Sequence, residues 1–466
     1  MNVLLFGTGD YYNRYKKWFE QHKVLALLDN SEKKKHKVID NIKVLLPEEG
    51  VKLSYDIIVI LSFYVKQMKQ QLISLGVEQR RIYHFYDLHI LFGENRIKRP
   101  IQYFLHAEEI IAADSNLKPK ILLMSNDLTI GGPEIAIFYA AIILKEHGFN
   151  VVFSSMIDGP MREKLIQSDI PVTVDENLQV ATMKEIKWIR TFSLVICNTL
   201  NFHIFLSERD LSIPVIWWLH DASFFYDGVN KNIIGKINLN YLKTVTVGPV
   251  PAKAVKNFLP HIRCDELLYG VEDVKSFARN KSNNKIVQFV TIGFLENIKG
   301  QDLLIQAIQK LPDDIRNQCK FYIVGYQNTL FGDKVYNEGK DLKEVIFTGN
   351  ISHKEVHRLL NNTDILVCPS RQDSMPTVVV EAMMHSVPCI VSDVTGIASY
   401  IHNEMDGFVF KNEDVQMLVE KIEWCVTNKK KLMNMGLSAR KLYERYFSME
   451  TFENALLNII NEIFEN

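Results

Sequence analysis

Short apolar runs punctuate this chain, each ending in glycine, proline or small polar residues. After each comes a stretch whose apolar residues return every three or four positions. That alternation predicts strand, loop, helix, strand, the unit of a parallel α/β sheet. The pattern restarts three times: at residues 3–6 before GTGD, at 121–124 before SNDLTIGGPE, and at 286–292 before GFLENIKGQD. No short period repeats, so separate domains are expected rather than a solenoid. They span 1–92, 119–283 and 284–466, with a charged helical connector over 93–118 and a polar run at 276–285 marking the last boundary.

Within the first domain, strands are expected at 24–28, 55–61 and 77–85. In the second, a helix over 135–145 precedes strands at 151–155, 193–198, 214–219 and 244–247. In the third, a helix over 303–311 precedes strands at 321–324 and 345–347, and Ser352 with Glu355 makes a capping box. A long amphipathic helix capped near Ser448 ends the sequence, packing back on the preceding domain.

Residues 363–393 (TDILVCPSRQDSMPTVVVEAMMHSVPCIVSD) carry the densest chemistry. A strand at 364–368 leads through a tight loop into a helix from about Pro376, because Met375, Val378, Val379, Ala382 and Met383 share one helical face. The β-branched run 377–380 disfavours a helix, but proline is acceptable in its first turn. Thr377 and Glu381 fall together off the apolar face, and Asp373 lies in the loop before them. A helix N-terminus at the carboxyl end of a strand suits phosphate.

At 466 residues, with 47% apolar and 23% charged positions, the chain is long enough for several cores. A formal charge of −1 without a basic block argues against nucleic acid as partner, while a local basic face could still meet a membrane. Six scattered cysteines form no CxxC pair, which points to reduced thiols in the cytoplasm and to no zinc site. The start MNVLLFGTGD lacks the basic region and long apolar core of a secretory signal.

Other candidates sit at strand ends. Gly131 and Gly132 would let backbone approach a ligand, with Pro133 opening the helix. The run PVIWWL delivers His220 and Asp221 to the sheet's mouth, His220 as a ligand contact and Trp217 and Trp218 as core. Lys299, beside Gly300, is placed either for a diphosphate or as a solvated loop residue. In the first domain Gly7 and Gly9, with Asp29 at a ribose position, make a weak dinucleotide fingerprint, Tyr12 standing where a third glycine belongs. That domain either binds a nucleotide or serves as a scaffolding or regulatory module. Tyr12 and Lys16 have the YxxxK spacing of short-chain sugar dehydrogenases, but in a helix where that family does not keep them.

The series GFLENIKGQDLLIQAI, FYIVG, VIFTGNISHKEV, TDILVCPSRQDSMPTVVVEAM, PCIVSDVTGIASYI and DGFVF, in that order, resembles the retaining nucleotide-sugar glycosyltransferases of family four. The likeness covers residues 119–466 and implies two facing Rossmann-like domains, the GT-B architecture, preceded here by a smaller Rossmann-like domain. That smaller domain is similar to those attached to bacterial polysaccharide-biosynthesis proteins. The resemblance implies a donor-binding role for Gly293. It also implies that Glu381 holds the ribose, that Asp373 contacts the donor sugar, and that the stretch Ser374, Met375, Pro376 and Thr377 presents its backbone N–H groups, which its proline lacks, to the sugar hydroxyls and diphosphate. Lys299 would neutralise the leaving diphosphate and Asn350 and Ile351 would meet the base. Gly131 and Gly132 would line the cleft and His220 would face the sugar. The first acid is Asp rather than Glu. Phe294 and Ile298 occupy the places where an Arg is often found, which leaves either weaker leaving-group stabilisation or compensation from elsewhere such as Arg371, and Ser386 replaces a glycine.

The expected activity is metal-independent transfer with retention to a glycan or polyprenyl-linked acceptor in cell-surface polysaccharide synthesis, without a cofactor. The protein would be cytoplasmic, at the membrane's inner face. A weak or inactive nucleotide-sugar-binding regulator is the alternative. A glycosidase would need carboxylates about 5 Å apart flanking a sugar, and two acids on one loop-helix unit beside a phosphate site argue against that.

Overall fold

The computed structural model describes residues 1–92, 99–113, 119–274, 286–325 and 329–465; the polar boundary at 276–285 lies outside them. The first sheet runs Val38–Ile39, Ile42–Leu45, Lys23–Leu28, Asn2–Phe6, Ile57–Ile60, Ile82–His84, parallel except for the first pair. The second runs Cys264–Glu266, Leu242–Thr246, Val215–Leu219, Leu194–Asn198, Lys120–Ser125, Asn150–Ser155, Val172–Val174, Gln102–Phe104. The third, all parallel, runs Val345–Gly349, Cys319–Val324, Val287–Ile292, Ile365–Cys368, Cys389–Ser392, Gly407–Phe410. Each domain's opening strand lies mid-sheet between its successor on one side and a later strand on the other. That reversal opens a crevice at the strands' carboxyl ends, where ligands bind in such sheets.

The connector departs from the helical expectation. Only Ala107–Ala112 is helical among its described residues, and Gln102–Phe104 adds an antiparallel edge strand to the second sheet. The expected strand over 77–85 shortens to Ile82–His84 behind a 3-10 turn, and a short hairpin, Val38–Ile39 with Ile42–Leu45, was not foreseen.

The helix Thr377–Met384 begins one residue after Pro376, which serves as its N-cap. Val379 and Val380 are fully buried. Each gains roughly 1.5–3 kcal/mol by burial, against a helix-propensity cost of at most about 0.7 kcal/mol, so packing overrides local preference. Ser386 ends the helix with φ 58°, and Val387 N–H donates back to Ala382 O at 2.9 Å. A left-handed turn there explains why glycine would suit the position.

The last helix, Met449–Glu465, crosses back to the second domain. Phe452 stacks on Trp218 at 5.7 Å and Phe464 on Phe149 at 6.0 Å. Trp217 and Trp218 are fully buried on opposite faces of their strand, their indole N–H groups donating to Thr199 O and Leu267 O. The first domain docks on the second through Trp18 Nε1 to Gln179 Oε1 (2.6 Å), Tyr86 OH to Asn201 Oδ1 (2.9 Å) and an Arg14–Asp127 ion pair.

Candidate active site

Two loops meet at the switch point of the third sheet, 293–300 after its opening strand and 369–376 after Ile365–Cys368. Gly300 (φ +68°) lets them touch: a Cβ there would lie 2.0 Å from Pro369 O. Gly293 has φ +150°, and its carbonyl oxygen lies where a Cβ on Gly325 would fall. The close approach brings Lys299 Nζ within 2.7 Å of Asp373 Oδ2, and Asp373 is largely buried. Burial is the largest single effect on Lys299 and lowers its pKa, but the charge and hydrogen bond of Asp373 outweigh it, so the net shift is upward. Lys299 is therefore a firm cation, and the carboxylate it holds is the shorter of the two acids.

No side chain caps the N-terminus of the helix Thr377–Met384. Across that cleft stands Gly132, where a Cβ would lie 3.5 Å from Thr377 Cγ2. Gly131 is the N-cap of its own helix, and a Cβ there would strike Glu134 Oε2. Ser374 is half-buried, and Met375 and Pro376 are buried; the buried Tyr269 OH donates to Met375 O at 2.9 Å, tying the loop to the second domain.

One turn along, Glu381 Oε1 lies 2.8 Å from His353 Nε2. His353 opens the helix His353–Asn361, whose capping box Ser352–Glu355 follows the exposed Asn350 and half-buried Ile351. The histidine was passed over in the sequence because its capping turn explained it locally. The hydrogen bond from Glu381 raises the His353 pKa above its ordinary 6.5, burial opposing. A raised value means stability that is complete below about pH 6.5 and lost as pH climbs through the folded-state pKa. The melting-temperature difference between wild type and His353→Ala should therefore be larger near about pH 6 than near about pH 8.5. Equal differences in thermal scans at both would show that the pair does not form.

Arg371 does not join this group. Its guanidinium forks onto Asp302 (2.8 and 2.9 Å) and reaches Glu413, which braces the loop. His220 stands at the end of Val215–Leu219 and lines a cavity that Glu296 and Ile298 of the Lys299 loop also line. Burial drives its pKa down to about 3, and its Nε2 has no hydrogen-bond partner. Beside it are acids the sequence reading gave no role. Glu134, in the first turn after the glycine pair, is pushed up to about 8 by burial and then by Asp127. Asp221 is raised to about 6 by burial while accepting from Leu200 N–H at 2.6 Å. The GGPE run could have flagged Glu134; nothing local could have flagged Arg14.

In the first domain Tyr12 OH and Lys16 Nζ both bind Asp40 Oδ2, at 2.9 and 2.7 Å, and Tyr12 is pushed up to about 12 by burial and by Asp40. Both side chains are thus engaged by Asp40. Among the described residues no group of three or more His, Cys, Asp or Glu gathers as for a metal ion.

Two Rossmann-like domains facing across this cleft make the GT-B fold, with a third domain attached at the N-terminal side. Residues 273–442 match the family of glycosyl transferases group 1, and residues 1–83 match the family described as C2185-like, N-terminal. The chain is similar to the UDP-Gal:alpha-D-GlcNAc-diphosphoundecaprenol alpha-1,3-galactosyltransferase of Escherichia coli, 30% identical over 28% of this chain and 32% of that protein. It is also similar to the putative teichuronic acid biosynthesis glycosyltransferase TuaC of Bacillus subtilis, 30% identical over 33% of this chain and 37% of that one. These matches thus span about a third of each relative's length. Among solved structures, Anabaena HepE in complex with UDP and glucose has the same fold: TM-score 0.61 and 17% identity, covering 74% of this chain and 99% of that one.

Proposed function

We propose that the chain is a retaining, metal-independent glycosyltransferase that moves a sugar from a nucleotide-sugar donor to a glycan or lipid-linked oligosaccharide in cell-surface polysaccharide synthesis. The observation that carries the reading is one switch point gathering the Lys299 ammonium, the uncapped N-terminus of Thr377–Met384 and the Glu381 carboxylate. Its support from relatives is the sugar-transferring names above, one of which prints a diphosphoundecaprenol-linked acceptor.

In this reading Glu381 accepts from the ribose hydroxyls and the base lies by Asn350 and Ile351. The diphosphate lies against the N–H groups of residues 374, 375 and 377, where the helix dipole favours negative charge. As the bond from the anomeric carbon to the phosphate oxygen breaks, charge grows on the diphosphate beside Lys299. A fixed cation there lowers the barrier because it needs no reorganisation. Asp373, anchored by Lys299, accepts from hydroxyls of the donor sugar. The acceptor oxygen bonds to the anomeric carbon on the face the phosphate leaves, and its proton passes to a phosphate oxygen, which retains configuration. A lipid-linked acceptor would bring the protein to the inner face of the membrane as a peripheral partner. No helix among the described residues is long and apolar enough to cross one.

The test is a thermal-shift panel of nucleoside diphosphates and nucleotide sugars, then turnover with polyprenyl-diphosphate-linked sugars and NMR of the product anomer. One base should stabilise the protein by about 2.7 kcal/mol at a hundredfold excess over Kd. No stabilisation by any nucleotide would sink the donor reading. An inverted product would sink retention, and loss of turnover in chelator would sink metal independence. Binding without turnover would instead assign a regulatory sugar-nucleotide binder.

A further inference from the structure

The N-terminal domain does not stand clear of the cleft. Its own switch-point loops, 7–10 and 61–64, open onto the same 670 Å³ cavity as the second domain's loops, and Glu296 and Ile298 close it from the loop that carries Lys299. The volume falls within the roughly 300–1,000 Å³ of small-ligand pockets.

Three observations bear on the occupant. The lining carries six carboxyl groups, from Asp10, Asp29, Asp127, Glu134, Asp221 and Glu296, against the single guanidinium of Arg14. That guanidinium is held by Asp127 at 2.5 Å, so none of the described lining residues offers a phosphate an uncommitted cation. Carboxyl groups do suit the hydroxyl donors of an uncharged sugar. Next, edge-to-face aromatic pairs span the junction of the two domains, Phe63 with Phe225 at 4.8 Å and Tyr64 with Phe224 at 5.6 Å, giving the chamber an aromatic wall. Such a wall complements the C–H face of a pyranose ring. Finally, His220 and Asn126, each more than nine-tenths buried, line the chamber, and His220 Nε2 and Asn126 Oδ1 have no hydrogen-bond partner within the protein. Buried polar groups in folded proteins are normally paired, so a ligand hydroxyl or amide is the missing partner.

The nucleotide alternative fits these facts less well. The Asp29 carboxylate, where a ribose would bind, already accepts from Thr8 Oγ1, Ser31 N–H and Lys34 Nζ.

We propose that this chamber holds the terminal, uncharged sugar of the acceptor, and that the N-terminal domain supplies one wall of the acceptor site. The inference rests on the transferase reading, because it is the neighbouring Lys299 loop that makes a sugar bound here an acceptor. The domain would then set acceptor specificity rather than bind a nucleotide.

The test uses the full chain with Tyr64→Ala and Asp10→Asn, two exposed positions whose replacement should leave folding intact, checked by thermal scans. The probes are methyl α-D-glucopyranoside, methyl α-D-galactopyranoside and methyl N-acetyl-α-D-glucosaminide, read by saturation-transfer NMR, with UDP, GDP and dTDP for the donor site. At least one glycoside should bind and weaken about tenfold or more in Tyr64→Ala, a loss of about 1.4 kcal/mol, while nucleotide binding stays unchanged. Absence of binding by all three glycosides, or equal binding in wild type and both variants, overturns the proposal. So does displacement of the sugar by NAD or a nucleotide that Asp10→Asn itself weakens, which would return the chamber to nucleotides. The transferase reading fails by a different sign: no nucleoside diphosphate that depends on Lys299 and Glu381.

Discussion

Lys299→Ala should lower turnover of the nucleotide sugar by roughly a hundredfold to a thousandfold, the usual cost of removing one fixed stabiliser of developing charge. Lys299 Nζ is the cation that the two switch-point loops bring to the helix N-terminus, and Asp373 keeps it protonated and aimed. Removing it also leaves Asp373 as an unpaired, largely buried anion facing an incoming diphosphate. The single variant should therefore lose donor affinity as well as kcat. Adding Asp373→Asn should restore part of the affinity and none of the turnover, and that split separates charge repulsion from leaving-group stabilisation. Steady-state kinetics with calorimetric donor titration make the measurement. A kcat within a fewfold of wild type would remove Lys299 from the chemistry.

Glu381→Ala should weaken nucleotide binding by roughly tenfold to a hundredfold, since hydrogen bonds to a charged group contribute about 1.5–3 kcal/mol. Glu381 sits one helical turn beyond the N-terminus of Thr377–Met384 and is mostly buried, with His353 Nε2 holding one oxygen. If it reads the ribose, wild type should prefer a ribonucleoside diphosphate over its 2′-deoxy analogue and the variant should bind both alike. A variant that keeps the preference would place the ribose elsewhere.

Much of the donor side was legible because its information is local. The helix after Pro376 could be read from apolar residues at helical spacing, and the loop before it from proline and serine. The spacing of Asp373 and Glu381 needed only counting. The β-branched run at 377–380 argued the other way, and burial of Val379 and Val380 decided it. The partners of Arg371 were not legible, for the opposite reason. Nothing near it in sequence shows that Asp302 and Glu413, 69 and 42 positions away, take its guanidinium. The edge strand Gln102–Phe104 was hidden because three half-exposed residues carry no strand period, and only Val172–Val174 beside them makes them one.

The sequence by itself determined the three strand–loop–helix restarts, the glycines at their turns and the two acids of the donor segment. Apolar period and turn chemistry act between residues a few positions apart. Tertiary structure alone decided how the charges pair: Glu381 with His353, Lys299 with Asp373 and Arg14 with Asp127, across 28, 74 and 113 positions. It alone turned the N-terminal domain's crevice toward the cleft. Periodicity fixes which face of an element is apolar, whereas the choice of which face meets which belongs to long-range packing.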